Sequence, residues 1–321
     1  MWVAAVLGAV FVVWMLLSFK TSRPDGVLVA KVPPFRRLMF YIMEGRNESI
    51  VFFDRKIRAE NLTAYLAESK AFGGDMSHLL VGAFNIGLAE NPKMNQFVVG
   101  RRLYARNGRW LSFSMKRKSM SKKAKLSVVK TLMKDGETFK EMCARINDQV
   151  GVERSGKKTS ADVEYDWFNL LPRPLLRGAA SALRSLDYFN LLPNFFIEGD
   201  GMYTSIFLAN LGSVGMAPGY HHLYEYGTCP LFVMVGRATD EPVVEDGMVV
   251  VGKVLTLRFS YDERIEDGLT ARYGMDSVQR VLENPQRWLG CIKADGSDTR
   301  PMFPHGENVD LGDDSAVAEE K

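Results

Sequence analysis

The sequence predicts an α/β protein preceded by one membrane-spanning helix. Three observations carry this. Residues 2–19 form an uninterrupted apolar run without a charged side chain. Further along, segments of hydrophobic period two recur, most clearly where Leu255, Leu257, Phe259 and Tyr261 alternate with Val254, Thr256, Arg258 and Ser260. Between such segments lie stretches with apolar residues at helical spacing, such as 76–90.

The composition is that of a globular protein. The chain has 321 residues, 46% hydrophobic and 25% charged, with a net charge of +3 that argues for no charged partner. Cys143, Cys229 and Cys291 are too widely spaced for a metal site or a disulfide framework and read as free thiols. With only four histidines, His78, His221, His222 and His305, the chain is not expected to build a multi-histidine metal centre.

At about 1.5 Å per residue the first run is just long enough to cross a hydrocarbon core. A cleaved signal peptide is the rival reading, but the basic start and a small-x-small site after Leu17 are missing. Lys20, Arg23, Lys31, Arg36 and Arg37 all follow the run. The expectation is a single-pass membrane protein with a cytoplasmic body.

Residues 20–34, with Pro24, Gly26, Pro33 and Pro34, read as a linker. A helix is expected over 35–43, a strand over 49–53, and helices over 59–71 and 76–90, the last stopped by Asn91-Pro92. Residues 96–114 read as a hairpin turning at Asn107-Gly108. Lys116, Arg117, Lys118, Lys122, Lys123 and Lys125 form a basic run, read as a solvated loop or as a contact for lipid headgroups or a phosphorylated cofactor. A strand over 126–132 and a helix over 138–150 follow.

Residues 166–196 are unusually apolar, with Trp167, Phe168, Leu175, Leu176, Leu183, Leu186 and Phe195 among them. Their piece at 175–189 has helical spacing, with Arg177 and Arg184 on the other side. It reads as packing, or as a membrane-surface helix or pocket wall. Strands are expected at 203–211, 230–235 and 248–261, and a helix at 276–288. Residues 295–321 are a polar, acidic tail expected to be disordered.

Tyr261-Asp262-Glu263-Arg264-Ile265-Glu266-Asp267-Gly268 closes the clearest strand. It resembles the Asp-His-Arg-x-x-Asp-Gly signature of the acyltransferase components of 2-oxoacid dehydrogenase complexes, and the His-His-x-x-x-Asp-Gly signature of chloramphenicol acetyltransferase. Three upstream blocks keep the family order: Phe35-Arg36-Arg37-Leu38-Met39, the helix ending Asn91-Pro92-Lys93-Met94-Asn95, and Phe207-Leu208-Ala209-Asn210-Leu211-Gly212. The resemblance covers residues 35–288 and places the acyltransferase-like domain at 35–294.

That resemblance implies a two-layer α/β sandwich, a mixed sheet with helices on one side, and a homotrimer with its active site between subunits. Coenzyme A or acyl-CoA is the implied substrate, with no metal. It implies that Asp267 is structural and pairs with Arg36 or Arg37, and that Asp262 and Asn210 belong to the site. A lipoyl domain does not fit into residues 20–34.

Two substitutions break the family pattern. Glu263 stands where the catalytic histidine is expected, and a carboxylate near pKa ~4.3 is a poorer base for a thiol near ~8.5 than imidazole near ~6.5. Ala209 and Phe207 stand where the family has an oxyanion-stabilising serine and a threonine. Thr204 and Ser205 are the nearest hydroxyls. His221-His222-Leu223-Tyr224-Glu225-Tyr226-Gly227 resembles the histidine signature. His222 is therefore a candidate base beside His221, with Glu225, Glu263 or Asp262 orienting it. The alternative is a histidine pair satisfied by backbone or packed on Tyr220 and Tyr224. Cys229 is a further candidate nucleophile.

Two functions follow: an acyltransferase working between coenzyme A and a hydrophobic acceptor, or a catalytically inactive trimeric scaffold or acyl- or lipid-binding protein on the same fold. No nucleic-acid partner is expected, since the basic run lacks aromatic interleaving.

Overall fold

The computed structural model describes residues 2–117, 126–155, 170–290 and 300–302. Lys118, Lys122, Lys123 and Lys125 of the basic run, Trp167, Phe168, Cys291, His305 and nearly all of the acidic tail lie outside these residues.

The described strands are β1 (Gly26–Leu28), β2 (Ile50–Arg58), β3 (Gln96–Val99), β4 (Arg102–Arg106), β5 (Trp110–Lys116), β6 (Leu126–Leu132), β7 (Ile206–Asn210), β8 (Leu231–Val235), β9 (Thr239–Glu245) and β10 (Met248–Asp262). A small antiparallel sheet has the order β1-β4-β3. The large sheet runs β2-β10-β8-β7-β5-β6, with β9 paired to the first half of β10. Because β7 is parallel to both β5 and β8 while its neighbours pair antiparallel, the sheet is mixed.

The alternation in β10 sorts the two faces. Leu255, Leu257, Phe259 and Tyr261 are at most 2% exposed. They face a helical layer, where Phe259 meets Phe84 of the Met76–Glu90 helix at 6.0 Å between ring centroids. Leu62 and Tyr65 from Glu60–Ser69, Phe139 and Ile146 from Phe139–Arg154, and Val278 and Val281 from Gly268–Glu283 complete this core. Each such side chain contributes about 1.5–3 kcal/mol on burial. On the other face Phe207, Phe232 and Met234 are covered by Leu223 and Cys229 from the segment between β7 and β8. Helices therefore cover one side of the sheet and a loop covers the other.

Local chemistry sets several boundaries. Asp75 and His78 form a reciprocal cap on the Met76–Glu90 helix, and Thr138 and Glu141 do the same for Phe139–Arg154. Three expectations are corrected. The hairpin over 96–114 turns at Gly100 and Arg101, both at positive φ (56° and 59°), and joins β3 to β4. Asn107-Gly108 instead carries the chain from the small sheet to the large one, where β5 pairs with β6 and β7. The last long helix starts at Gly268, eight residues before the predicted 276. Finally, Gly26–Leu28, in the segment read as a linker, is a strand on β4. Beyond the last helices Met302 is fully buried in the helical core, within the segment read as a tail.

Candidate active site

The end of β10 is held by a buried ion pair. Asp262 is wholly buried and Arg264 is 4% exposed. Nε and Nη2 of Arg264 donate to the two Asp262 carboxylate oxygens at 2.9 and 2.8 Å. Ser49 Oγ, also buried, donates to the same carboxylate at 2.9 Å, and Arg264 Nη1 reaches the carbonyls of Met43 and Glu44 at 3.1 Å. Burial works against the Arg264 cation, but its bonds to Asp262 prevail and hold its pKa above the ordinary guanidinium value. Residues 263–265 turn directly after β10, and the Arg264 N–H also donates to the Asp262 carboxylate, at 3.1 Å. Sequence reasoning did not anticipate the clamp. Glu263, between them, is exposed, and its backbone N–H is tied to the Ser49 carbonyl at 3.0 Å.

The family-implied pairing of Asp267 with Arg36 or Arg37 is not what forms. Arg36 donates to Glu266 at 2.8 Å, with Lys93 3.7 Å from the same carboxylate, and Arg37 is exposed. Asp267 is the N-cap of the Gly268–Glu283 helix. Its carboxylate accepts from the Thr270 N–H at 3.0 Å, which lowers its pKa below the usual range. Asn210 has a local role as well, capping the turn after β7 by accepting from the Ser213 N–H at 3.1 Å.

The histidine pair lies on the loop-covered face. Phe207, Phe232, His221 and His222 form a continuous stack. Centroid separations are 4.9 Å for Phe207–Phe232, 4.0 Å for Phe232–His221 and 4.7 Å for His221–His222. Nδ1 of His221 lies 2.6 Å from the His222 carbonyl, and Nδ1 of His222 lies 3.2 Å from that of Leu223. Ser260 Oγ donates to the His221 carbonyl, which ties the loop to β10. Burial lowers the His221 pKa from the ordinary imidazole value.

Within one chain, neither histidine has a carboxylate partner among the described residues. Glu225 accepts instead from the Arg46 and Asn47 N–H groups at 3.1 and 3.0 Å, and Asp262 is held by Arg264. The side-chain hydroxyl of Thr204 donates to the Trp110 carbonyl, and that of Ser205 accepts from the Trp110 N–H, so both serve β5. Cys229 is 3% exposed, and burial pushes its thiol up to about 11, far from a nucleophile's range.

Behind the clamp is a cleft of about 320 Å³, within the range of ligand pockets. Arg46, Arg101, Arg184, Asp187, Glu225 and Arg264 line it. Arg46 is buried and donates to the Tyr224 and Glu225 carbonyls at 3.1 Å, and Arg101 pairs with Glu44. Among the described residues no cluster of three or more histidine, cysteine or acidic side chains is placed to hold a metal ion.

Comparison with known proteins bears on this arrangement. The family described as 2-oxoacid dehydrogenases acyltransferase (catalytic domain) matches residues 200–290, the stretch holding β7, the histidine loop and the clamp. The dihydrolipoyllysine-residue acetyltransferase component of the pyruvate dehydrogenase complex of Staphylococcus aureus is 40% identical over 55 residues, which are 17% of this chain and 13% of that protein. Among solved structures, the dihydrolipoamide acetyltransferase of Azotobacter vinelandii superposes with a TM-score of 0.54 at 17% identity, covering 80% of this chain and 93% of the other. The cubic core of the pyruvate dehydrogenase multienzyme complex gives 0.52 at 15% identity, with coverage of 80% and 93%. These structural likenesses establish a shared fold. The chain thus resembles the catalytic domain of 2-oxoacid dehydrogenase acyltransferase components.

Proposed function

We propose that this protein is a membrane-anchored acyltransferase-like protein that works as a homotrimer and moves an acyl group between coenzyme A and a hydrophobic acceptor. The observation that carries the proposal is the Asp262–Arg264 clamp, which fixes the end of a central strand and leaves Glu263 exposed at the family's catalytic position. In a trimer that carboxylate would face a neighbouring subunit. The fold shared with a multienzyme core supports such an assembly. Glu263 takes the proton of the acceptor, the acceptor attacks the thioester carbonyl, the carbon–sulfur bond breaks, and the proton goes to the departing thiolate of coenzyme A. The apolar Trp2–Phe19 helix, none of it buried, is read as the anchor, with the basic residues after it keeping the body on the cytoplasmic side.

One observation favours a second reading, a non-catalytic binding protein on the same fold. Both Nδ1 atoms of the histidine pair sit against backbone carbonyls, and Phe207 and Ala209 offer no oxyanion donor. Incubating the protein with a panel of acyl-CoA thioesters and following thiol release separates the two. Acyl transfer requires turnover that falls about 10²-fold or more in Glu263→Gln, with the trimer intact by analytical ultracentrifugation. Acyl-CoA binding without turnover in the wild type would leave the binding-protein reading standing.

A further inference from the structure

The Arg173–Tyr188 helix buries none of its sixteen residues. At 3.6 residues per turn Leu175, Leu176, Ala179, Ala182, Leu183 and Leu186 share one side, and Arg173, Arg177, Ser181 and Arg184 share the other. Leu175 is 60% exposed, Leu176 38% and Leu186 39%; Leu183 packs beside the buried Leu192, Ile197 and Tyr203. A helix of this length gains little from its own hydrogen bonds in water, and its stability comes from burying the apolar side. The leucine side therefore needs a cover.

Two observations identify that cover. The carboxyl-terminal end of the helix is joined to the end of the apolar Trp2–Phe19 helix by one polar cluster. Asp187 pairs with Arg23 at 3.2 Å, Asn190 donates to the Lys20 carbonyl at 2.9 Å, and Arg102 donates to the carbonyls of Ser18 and Lys20. Across the cleft, the Pro34–Ile42 helix leaves Phe35, Leu38, Tyr41 and Ile42 exposed by 54–74%, again with basic residues, Arg36 and Arg37, in the same helix. Two amphipathic helices flank one cleft at the point where the apolar run leaves the body.

We propose that the Arg173–Tyr188 helix lies in the interfacial layer of a bilayer, with Leu175, Leu176 and Leu186 among the acyl chains and Arg173, Arg177 and Arg184 at anionic headgroups. The cleft it walls then opens at the membrane surface, where a hydrophobic acceptor is concentrated. This inference rests on the reading of Trp2–Phe19 as the membrane anchor.

The test uses the full chain in vesicles of phosphatidylcholine and phosphatidylglycerol carrying a phospholipid with a photoreactive acyl chain, with crosslinked residues mapped by mass spectrometry. Crosslinks should appear on Leu175, Leu176 and Leu186 as well as within Trp2–Phe19. In the double variant Leu175→Glu, Leu186→Glu the helix yield should fall about tenfold while the Trp2–Phe19 yield is kept, because the charged side chains leave the acyl region. Crosslinks confined to Trp2–Phe19 would overturn the proposal and leave the anchor standing. Crosslinks from the helix to a second copy of the chain, in place of lipid, would also overturn it. Protein that stays in the aqueous fraction with no lipid crosslink would remove the anchor reading, and the proposal with it.

Discussion

The His221 imidazole lies flat on the Phe232 ring, with centroids 4.0 Å apart and planes 6° from parallel. Phe232 pairs in register with Phe207 on β7, so the stack is mounted on two adjacent parallel strands. Burial depresses the His221 pKa, and the sign of the pH effect follows. The neutral ring is favoured in the folded chain. Its contribution to stability is fully present above the ordinary imidazole value of ~6.5 and is lost as pH falls through the lowered value. Titration of the His221 ring protons by NMR should give a pKa below that of the unfolded chain. Phe232→Ala should move it back toward the ordinary value and cost about 3–5 kcal/mol of stability. A His221 pKa at or above that of the unfolded chain would remove the stacking argument.

The Asp262–Arg264 pair predicts an asymmetric mutational response. Arg264→Met leaves a buried carboxylate with only Ser49 as a side-chain donor, and should cost about 3–5 kcal/mol. Asp262→Asn with Arg264→Met together should recover much of that loss, because the stranded charge is removed with its partner. Denaturant unfolding of the two single variants and the double variant measures the coupling. Single-variant costs that simply add in the double would show that the two side chains do not act as a pair.

Much of the fold was readable because β10 states its own burial. Residues alternating at period two were the ones that went under the helices, and residues 76–90 carried their helix and its stop in sequence. The misreadings have physical causes. Asn107-Gly108 marks a turn, but which strands that turn joins is decided by pairing partners far away in the chain. β9, with Pro242 and three acidic residues, lacks the alternation that identifies a strand, and it forms because β10 is long enough to receive it. At the site, Asp267-Gly268 was correctly seen as a boundary, but its carboxylate caps a helix while the neighbouring Glu266 takes Arg36. The partners of Glu225 lie 178–179 residues upstream, and no local pattern announces them.

Cys229 should behave as an inert thiol. It is buried, donates to the Leu231 carbonyl at 3.2 Å, and has a pKa pushed up to about 11 by burial. At neutral pH almost none of it is thiolate, and no reagent reaches it without opening the loop. Alkylation with iodoacetamide at pH 7.5, followed by peptide mass spectrometry, should leave Cys229 unmodified in the native protein and label it fully in denaturant. Rapid labelling under native conditions would restore it as a candidate nucleophile.

Two glycines should respond to alanine in opposite directions. Gly212, in the Asn210-Leu211-Gly212 block, brings its backbone against the chain that leaves β8. A Cβ there would lie 2.4 Å from the Gly236 carbonyl oxygen and 2.9 Å from the Arg237 nitrogen. Both are backbone atoms, so no side-chain rotation relieves the clash. Gly212→Ala should destabilise the protein by about 1–3 kcal/mol or more and disturb the loop carrying the histidine pair. Gly178 lies inside the Arg173–Tyr188 helix with nothing within 4 Å of its Cβ position. There alanine removes only the conformational freedom of the unfolded chain, and Gly178→Ala should stabilise the helix by about 0.5–1 kcal/mol. Thermal unfolding of the two variants should bracket the wild type, with Gly212→Ala below it and Gly178→Ala at or above it. A neutral Gly212→Ala would mean that the chains after β7 and β8 are not in backbone contact.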